Sequence, residues 1–158
     1  LEVTSESMSQ LFRERGTEFV LTGPESHQPV FVNVDRDRIK QVIINLLSNA
    51  VKFVPEGNGR ITVTLQSANG MARVVVRDNG PGIPEAYQAL IFERFHQGGN
   101  TMTDKPQGTG LGLPISREII EHFGGALWVE SITGAASPSA VTTESGSAFI
   151  FTIPLADA

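Results

Sequence analysis

The chain has 158 residues, no cysteine and a formal net charge of −5, and 40% of its residues are hydrophobic. That length suits one domain with its own core. The composition excludes disulfides and thiolate metal sites, and it gives no electrostatic case for nucleic acid or an anionic membrane surface. No apolar run approaches the roughly 20 residues of a membrane span. The lack of cysteine suits a cytoplasmic setting, and a start at Leu1 rather than Met suits a piece of a longer protein.

Residues 3 to about 15 read as a short helix, with Val3, Met8, Leu11 and Phe12 among its apolar positions and Gly16 as its stop. A strand is predicted over residues 18–22. A Gly-Pro-Glu-Ser-His-Gln-Pro turn follows it, and residues 30–34 are expected as its return partner. Asp35 or Asp37 can N-cap a second helix, which stops before Pro55. Residues 60–67 alternate as a strand (Ile61, Val63, Leu65), Asn69-Gly70 makes a hairpin turn, and residues 72–77 return. A later helix carries Ile115, Ile119, Ile120 and Phe123 and is stopped by Gly124-Gly125. A last hairpin pairs residues 126–132 with 147–153 across a long polar connection. Trp128, within it, is expected in the core. This order predicts an α+β sandwich: a mixed, mostly antiparallel sheet of about five strands with helices packed on one face.

The second helix carries the densest chemistry. Ile39, Val42, Ile43, Leu46, Ala50 and Phe53 form an apolar stripe at helical spacing. At roughly 100° per residue, Asn45, Asn49 and Lys52 fall within an arc of about 60° beside it. Asparagine is disfavoured inside a helix because its side chain competes for backbone hydrogen bonds. The pair is either a solvated flank or a set of oxygen ligands for Mg²⁺, with a lysine for the phosphates the metal bridges. Asp78 ends an apolar strand before Gly80 and Gly82. That is either a plain turn or a carboxylate that accepts from an exocyclic amine while the glycines let a flat ring approach. The run Gly108-Thr109-Gly110-Leu111-Gly112 leads into a helix, either as a linker or as backbone N–H groups aimed at an anion. None of the three histidines has metal-ligand spacing.

In order, Asn45/Asn49/Lys52, Asp78-x-Gly80-x-Gly82, Phe92-Glu93-Arg94-Phe95 and Gly108-x-Gly110-Leu111-Gly112-Leu113 resemble the N, G1, F and G2 boxes of the ATP-binding catalytic domain of sensor histidine kinases. The match runs from about residue 35 to 154. The domain's superfamily includes DNA gyrase, the ninety-kilodalton heat-shock chaperone and the mismatch-repair ATPases. The resemblance implies the Bergerat fold, with ATP between the helical layer and a flexible lid at about residues 96–107. It implies that Asp78 binds the adenine amino group and that Gly80 and Gly82 admit the ring. Asn49 would be the principal Mg²⁺ ligand with Asn45 assisting, Lys52 would meet phosphate, and Phe53 would lie near the base. Arg94 and Lys105 would face the γ-phosphate. Gly108, Gly110 and Gly112 would hinge the lid within a nucleotide loop that includes Thr109 and Leu111.

Hydrolysing members of that superfamily place a Glu where this chain has Asn45, and an amide cannot act as the base that activates water. The resemblance therefore implies phosphoryl transfer rather than hydrolysis. His27, His96 and His122 are followed by Gln28, Gln97 and Phe123 rather than by an acidic residue. The phosphoacceptor is thus expected on a separate dimerisation domain, with residues 1–16 as a linker helix from it. The implied parent is a homodimer and the isolated domain a monomer. The implied partners are ATP, that acceptor domain and a downstream response regulator, with no nucleic acid or membrane contact from this domain. The alternative is a regulatory module of the same superfamily that binds nucleotide without transferring phosphate.

Overall fold

Strand alternation and helical stripes converge on one apolar layer. The computed structural model describes residues 2–24, 29–95, 110–132 and 145–156. In chain order it has α1 (Glu2–Glu14), β1 (Glu18–Thr22), α2 (Arg36–Phe53), β2 (Arg60–Ala68), β3 (Met71–Asp78) and the short α3 (Glu85–Gln88). A 3₁₀ turn (Leu90–Phe92), α4 (Gly112–His122), β4 (Ala126–Ile132) and β5 (Gly146–Pro154) follow. The sheet order is β1-β2-β3-β5-β4, and only the β1–β2 pair is parallel. The expected α+β sandwich, with a mixed and mostly antiparallel five-stranded sheet, is the architecture observed.

Alternate strand residues (Ile61, Val63, Val74, Val76, Leu127, Phe149, Phe151, Ile153) share one buried cluster with Met8 and Phe12 of α1, the stripe of α2 apart from the exposed Phe53, and Ile120 of α4. The helices therefore lie on one face. Full burial of a side chain such as Leu46 or Phe151 stabilises by about 1.5–3 kcal/mol. Asp35 starts α2: its Oδ1 accepts from the N–H of Asp37 at 2.8 Å and of Arg38 at 3.1 Å. The helix ends where Val54 turns extended ahead of Pro55. Asn69 and Gly70 both take positive φ (52° and 74°), which is the two-residue hairpin turn their sequence demands.

Two expectations fail. Residues 30–34 do not pair with β1. Val32 makes a single bridge to Leu155, and Phe31 is 69% exposed. β1 lies instead parallel to β2, with Glu18 opposite Arg60 and Thr22 opposite Thr64. Alternation fixes which face of a strand is buried but not its neighbour. Here α2 must cross the sheet to bury its stripe, so the strand after the helix docks on β1, while Val32 and Val34 spend their apolar surface on the core. Trp128 is not a core residue either. Leu127 and Val129 take the helix-side positions of β4, leaving Trp128 partly exposed on the other face. There its indole N–H donates to Glu130 Oε1 at 3.2 Å.

Candidate nucleotide site

The buried stripe of α2 decides where its polar flank points. With Leu46, Leu47, Ala50 and Val51 against the sheet, Asn45 and Asn49 are half-buried along one edge, and Lys52 and Phe53 are exposed at its end. Phe53 leaves 56% of its surface uncovered. Asn45 reaches across to α4: its Nδ2 donates to the Gly112 carbonyl at 3.1 Å and to Ser116 Oγ at 3.0 Å. Among the described residues no side chain caps the start of α4, and Gly112 in its first turn lies against this edge of α2.

Asp78 closes β3 and is only 7% exposed. Its Oδ1 accepts from the N–H of Gly80 at 2.8 Å and of Ser147 at 3.4 Å. Burial pushes its carboxyl pKa up, against the opposing pull of those two N–H groups and the charge of Arg77. Among the described residues, the side-chain polar atom sealed from solvent without a partner is Thr17 Oγ1. Among the described residues no group bonds Asp78 Oδ2. Gly80 is required by close approach, because a Cβ there would lie 2.9 Å from both Asp78 Oδ1 and the Phe53 carbonyl oxygen. The turn after Asp78 is thus pressed against the end of α2, and Gly82 turns it with φ +78°.

Neighbours staple that turn in place. Asn79 Oδ1 accepts from Arg60 N–H at 2.7 Å, and its Nδ2 donates to the Asn58 carbonyl at 3.0 Å. Ser145 Oγ donates to the Gly80 carbonyl at 2.8 Å, and Ser131 Oγ accepts from Ile83 N–H at 2.6 Å. Asn79, Ser131, Ser145 and Ser147 were not anticipated as supports of the site. The one legible signal was a serine at a buried strand position, Ser147.

The structure thus gathers Asn45, Asn49, Lys52 and Phe53 on one edge of α2, with Asp78, Gly80 and Gly82 at its end and Gly112 beside Asn45. It does not bring Arg94 there. Arg94 is paired with Glu118 on the exposed flank of α4, next to Arg117, whose guanidinium lies 5.1 Å from the centre of the Phe92 ring. Gly110 accepts from Phe95 N–H at 3.0 Å, and Leu111 immediately precedes α4. Lys105, Gly108, Thr109 and the expected lid at 96–107 lie outside the described residues. A cavity of about 370 Å³ is lined by Asp35, Arg38, Glu118, Ile119, His122 and Phe123. It shares no residue with the cluster and lies roughly 10–15 Å back along α2 from Asn45, at about 1.5 Å per residue.

The donor chemistry suits a hard cation bridged to phosphate. Two carboxamides offer neutral oxygen, and among the described residues no group of three or more His, Cys, Asp or Glu forms an alternative cage. The charge that balances such a cation would come from the nucleotide.

Comparison with known proteins identifies the family. Residues 34–157 match the family described as histidine kinase-, DNA gyrase B-, and HSP90-like ATPase. The chain is 33% identical over 147 residues to sensor histidine kinase WalK of Bacillus subtilis, covering 92% of this chain and 22% of that protein. It is 43% identical over 121 residues to sensor histidine kinase AruS of Pseudomonas aeruginosa, covering 75% of this chain and 11% of that one. The chain therefore spans less than a quarter of these relatives. Among solved structures, the catalytic domain of histidine kinase ThkA superposes with a TM-score of 0.77 at 34% identity, over 97% of this chain and 90% of that one. The mycobacterial sensor histidine kinase MprB gives 0.75 at 33%, over 99% and 95%. Fold, ordered motifs and relatives agree, and the chain belongs to the histidine kinase-, DNA gyrase B- and HSP90-like ATPase family.

Proposed function

We propose that this chain is the catalytic domain of a sensor histidine kinase, which binds ATP with Mg²⁺ and transfers the γ-phosphoryl group to a histidine on a separate dimerisation domain. The observation that carries the reading is Asp78. This buried carboxylate has one oxygen fixed by backbone N–H groups and the other unbonded among the described residues, beside a glycine turn and an exposed phenylalanine. That is an acceptor built for an exocyclic amine on a flat ring. Asn49 and Asn45 would hold Mg²⁺ through their amide oxygens, Lys52 would meet phosphate, and the N-terminus of α4 would face the same anion. The bound metal would neutralise phosphate charge, and the chain's own residues would orient the nucleotide for attack by a nucleophile from the partner domain. Asn45 leaves the site without a base for water, which favours transfer.

The larger protein would work as a cytoplasmic or membrane-anchored homodimer that passes phosphate to a response regulator. ThkA, a relative by structure, has been solved in complex with a response regulator protein, TrrA. The decisive experiment mixes this chain with a separately made acceptor domain and γ-labelled ATP. Acid-labile label on the acceptor is expected, with Asn49→Ala cutting transfer while ADP still binds without metal. Nucleotide binding with no label on any acceptor would favour the regulatory-module alternative, and undiminished transfer in Asn49→Ala would remove the metal assignment.

A further inference from the structure

We propose that Ser116 is a positioning residue, which with the Gly112 carbonyl holds the Asn45 carboxamide so that its oxygen, not its nitrogen, is offered to the nucleotide-bound cation. The inference rests on the reading of Asn45 as a metal ligand. A carboxamide is nearly symmetric in shape, and its two ends differ only in the hydrogen bonds they can make. The Gly112 carbonyl can only accept, so the end of Asn45 that meets it at 3.1 Å must be the amino end. Ser116 Oγ takes the second N–H at 3.0 Å. Both protons are thereby committed to α4, and among the described residues no group bonds Oδ1.

Ser116 is wholly buried, at 0% exposure, in the seam between α2 and α4. A hydroxyl sealed between two helices needs a partner, and Asn45 supplies it. Ser116 lies one helical turn after Gly112, so carbonyl and hydroxyl share the face of α4 that meets α2. Gly112 completes the fit, because a Cβ there would lie 3.4 Å from Asn45 Cγ and Oδ1, at the limit of ordinary contact. An apolar residue at 116 would fill the seam but would leave one amide proton without an acceptor. The carboxamide would then be held by the Gly112 carbonyl alone and would sample orientations in which its oxygen is not offered to the cation. The competent fraction would fall, and apparent cation affinity would fall with it.

The test is calorimetric titration of the intact chain with a non-hydrolysable ATP analogue across a range of Mg²⁺ concentrations. ADP binding without metal and the side-chain amide NMR signals of Asn45 in the free protein are measured alongside. Ser116→Ala should raise the Mg²⁺ concentration for half-maximal binding by about three- to tenfold. It should shift the Asn45 amide pair and leave metal-free ADP affinity within about twofold. Thr and Val have the same shape, so Ser116→Thr should keep the Mg²⁺ dependence that Ser116→Val loses, even where both variants lose stability. In an Asn45→Ala background, Ser116→Ala should add nothing. Normal Mg²⁺ dependence in both Ser116→Ala and Ser116→Val, with Asn45→Ala shifted, overturns the inference. So does an equal loss of metal-free ADP binding, which would mark Ser116 as structural. Normal Mg²⁺ dependence in Asn45→Ala overturns the underlying metal reading.

Discussion

Replacing Asp78 by asparagine separates ligand recognition from stability, because the structure fixes how the new amide must sit. Both groups that meet Asp78 Oδ1 are N–H donors, from Gly80 and Ser147. The asparagine oxygen must therefore stay at that position, and the NH₂ group must replace Oδ2. An adenine amine arriving there would meet a donor where it needs an acceptor. The loss is a hydrogen bond to a charged group, about 1.5–3 kcal/mol, plus an unmet buried donor, about 1–3 kcal/mol. Together these predict a rise in the ADP dissociation constant of roughly 10²- to 10⁴-fold. Stability should move the other way. Burial raises the folded-state pKa of Asp78 above its ordinary 3.8, so the folded state binds this proton more tightly than the unfolded one. The carboxyl is unpenalised below that ordinary value and destabilises progressively as pH rises through the folded-state pKa. Asparagine carries no such penalty, so the variant should melt no lower than the parent at pH 7.5, and its relative advantage should shrink towards pH 3.5. Calorimetry with ADP and thermal melts across that range read both effects. A variant that binds ADP within threefold of the parent refutes the adenine assignment, and one that melts clearly lower at pH 7.5 refutes the desolvation argument.

Three further substitutions probe other parts of the same framework. Gly80→Ala places a methyl 2.9 Å from both Asp78 Oδ1 and the Phe53 carbonyl, so it should cost about 1–3 kcal/mol in a denaturant melt and weaken nucleotide binding as well. Phe53→Ala removes a ring that is 56% exposed, so stability should change by no more than about 0.5 kcal/mol, while loss of a stacking partner should weaken ADP several-fold. Equal ADP affinity in that variant would remove Phe53 from the site. Leu46→Ala opens a cavity at a fully buried position of α2 and should cost about 2–5 kcal/mol, with metal-free ADP binding retained by whatever fraction stays folded.

The elements legible from sequence were those with a strong periodic signal. The α2 stripe and the Asn69-Gly70 hairpin each bury one face and leave one out, and β4 and β5 read as paired apolar runs, with β5 buried on both faces. What escaped was pairing and partnership across distance. Nothing in residues 30–34 distinguishes a hairpin partner from an extended segment that lends Val32 and Val34 to the core. Trp128 is bulky enough to suggest burial, but the strand's alternation assigned it to the other face. In the site, Asp78 and the asparagine flank could be read because their residue types contradict their local setting. The Asn45–Ser116 bond spans 71 positions, and the Arg94–Glu118 pair spans 24, so neither leaves a local mark. The serines that brace the Asp78 turn escaped for the same reason, since they come from β4, β5 and the residue just before β5, far along the chain.

The bond from Phe95 N–H to the Gly110 carbonyl ties off the sequence between them at its base. That bond holds Phe95 beside Gly110, at the approach to α4, whatever the number of residues between them. Loop-closure cost rises slowly with the number of residues enclosed, by about 0.6 kcal/mol per doubling. Insertions or deletions between positions 96 and 109 should therefore leave the placement of α4, and with it the Asn45 contact, almost unchanged. That makes this stretch the natural place for related proteins to differ in length, and for an engineer to graft a reporter.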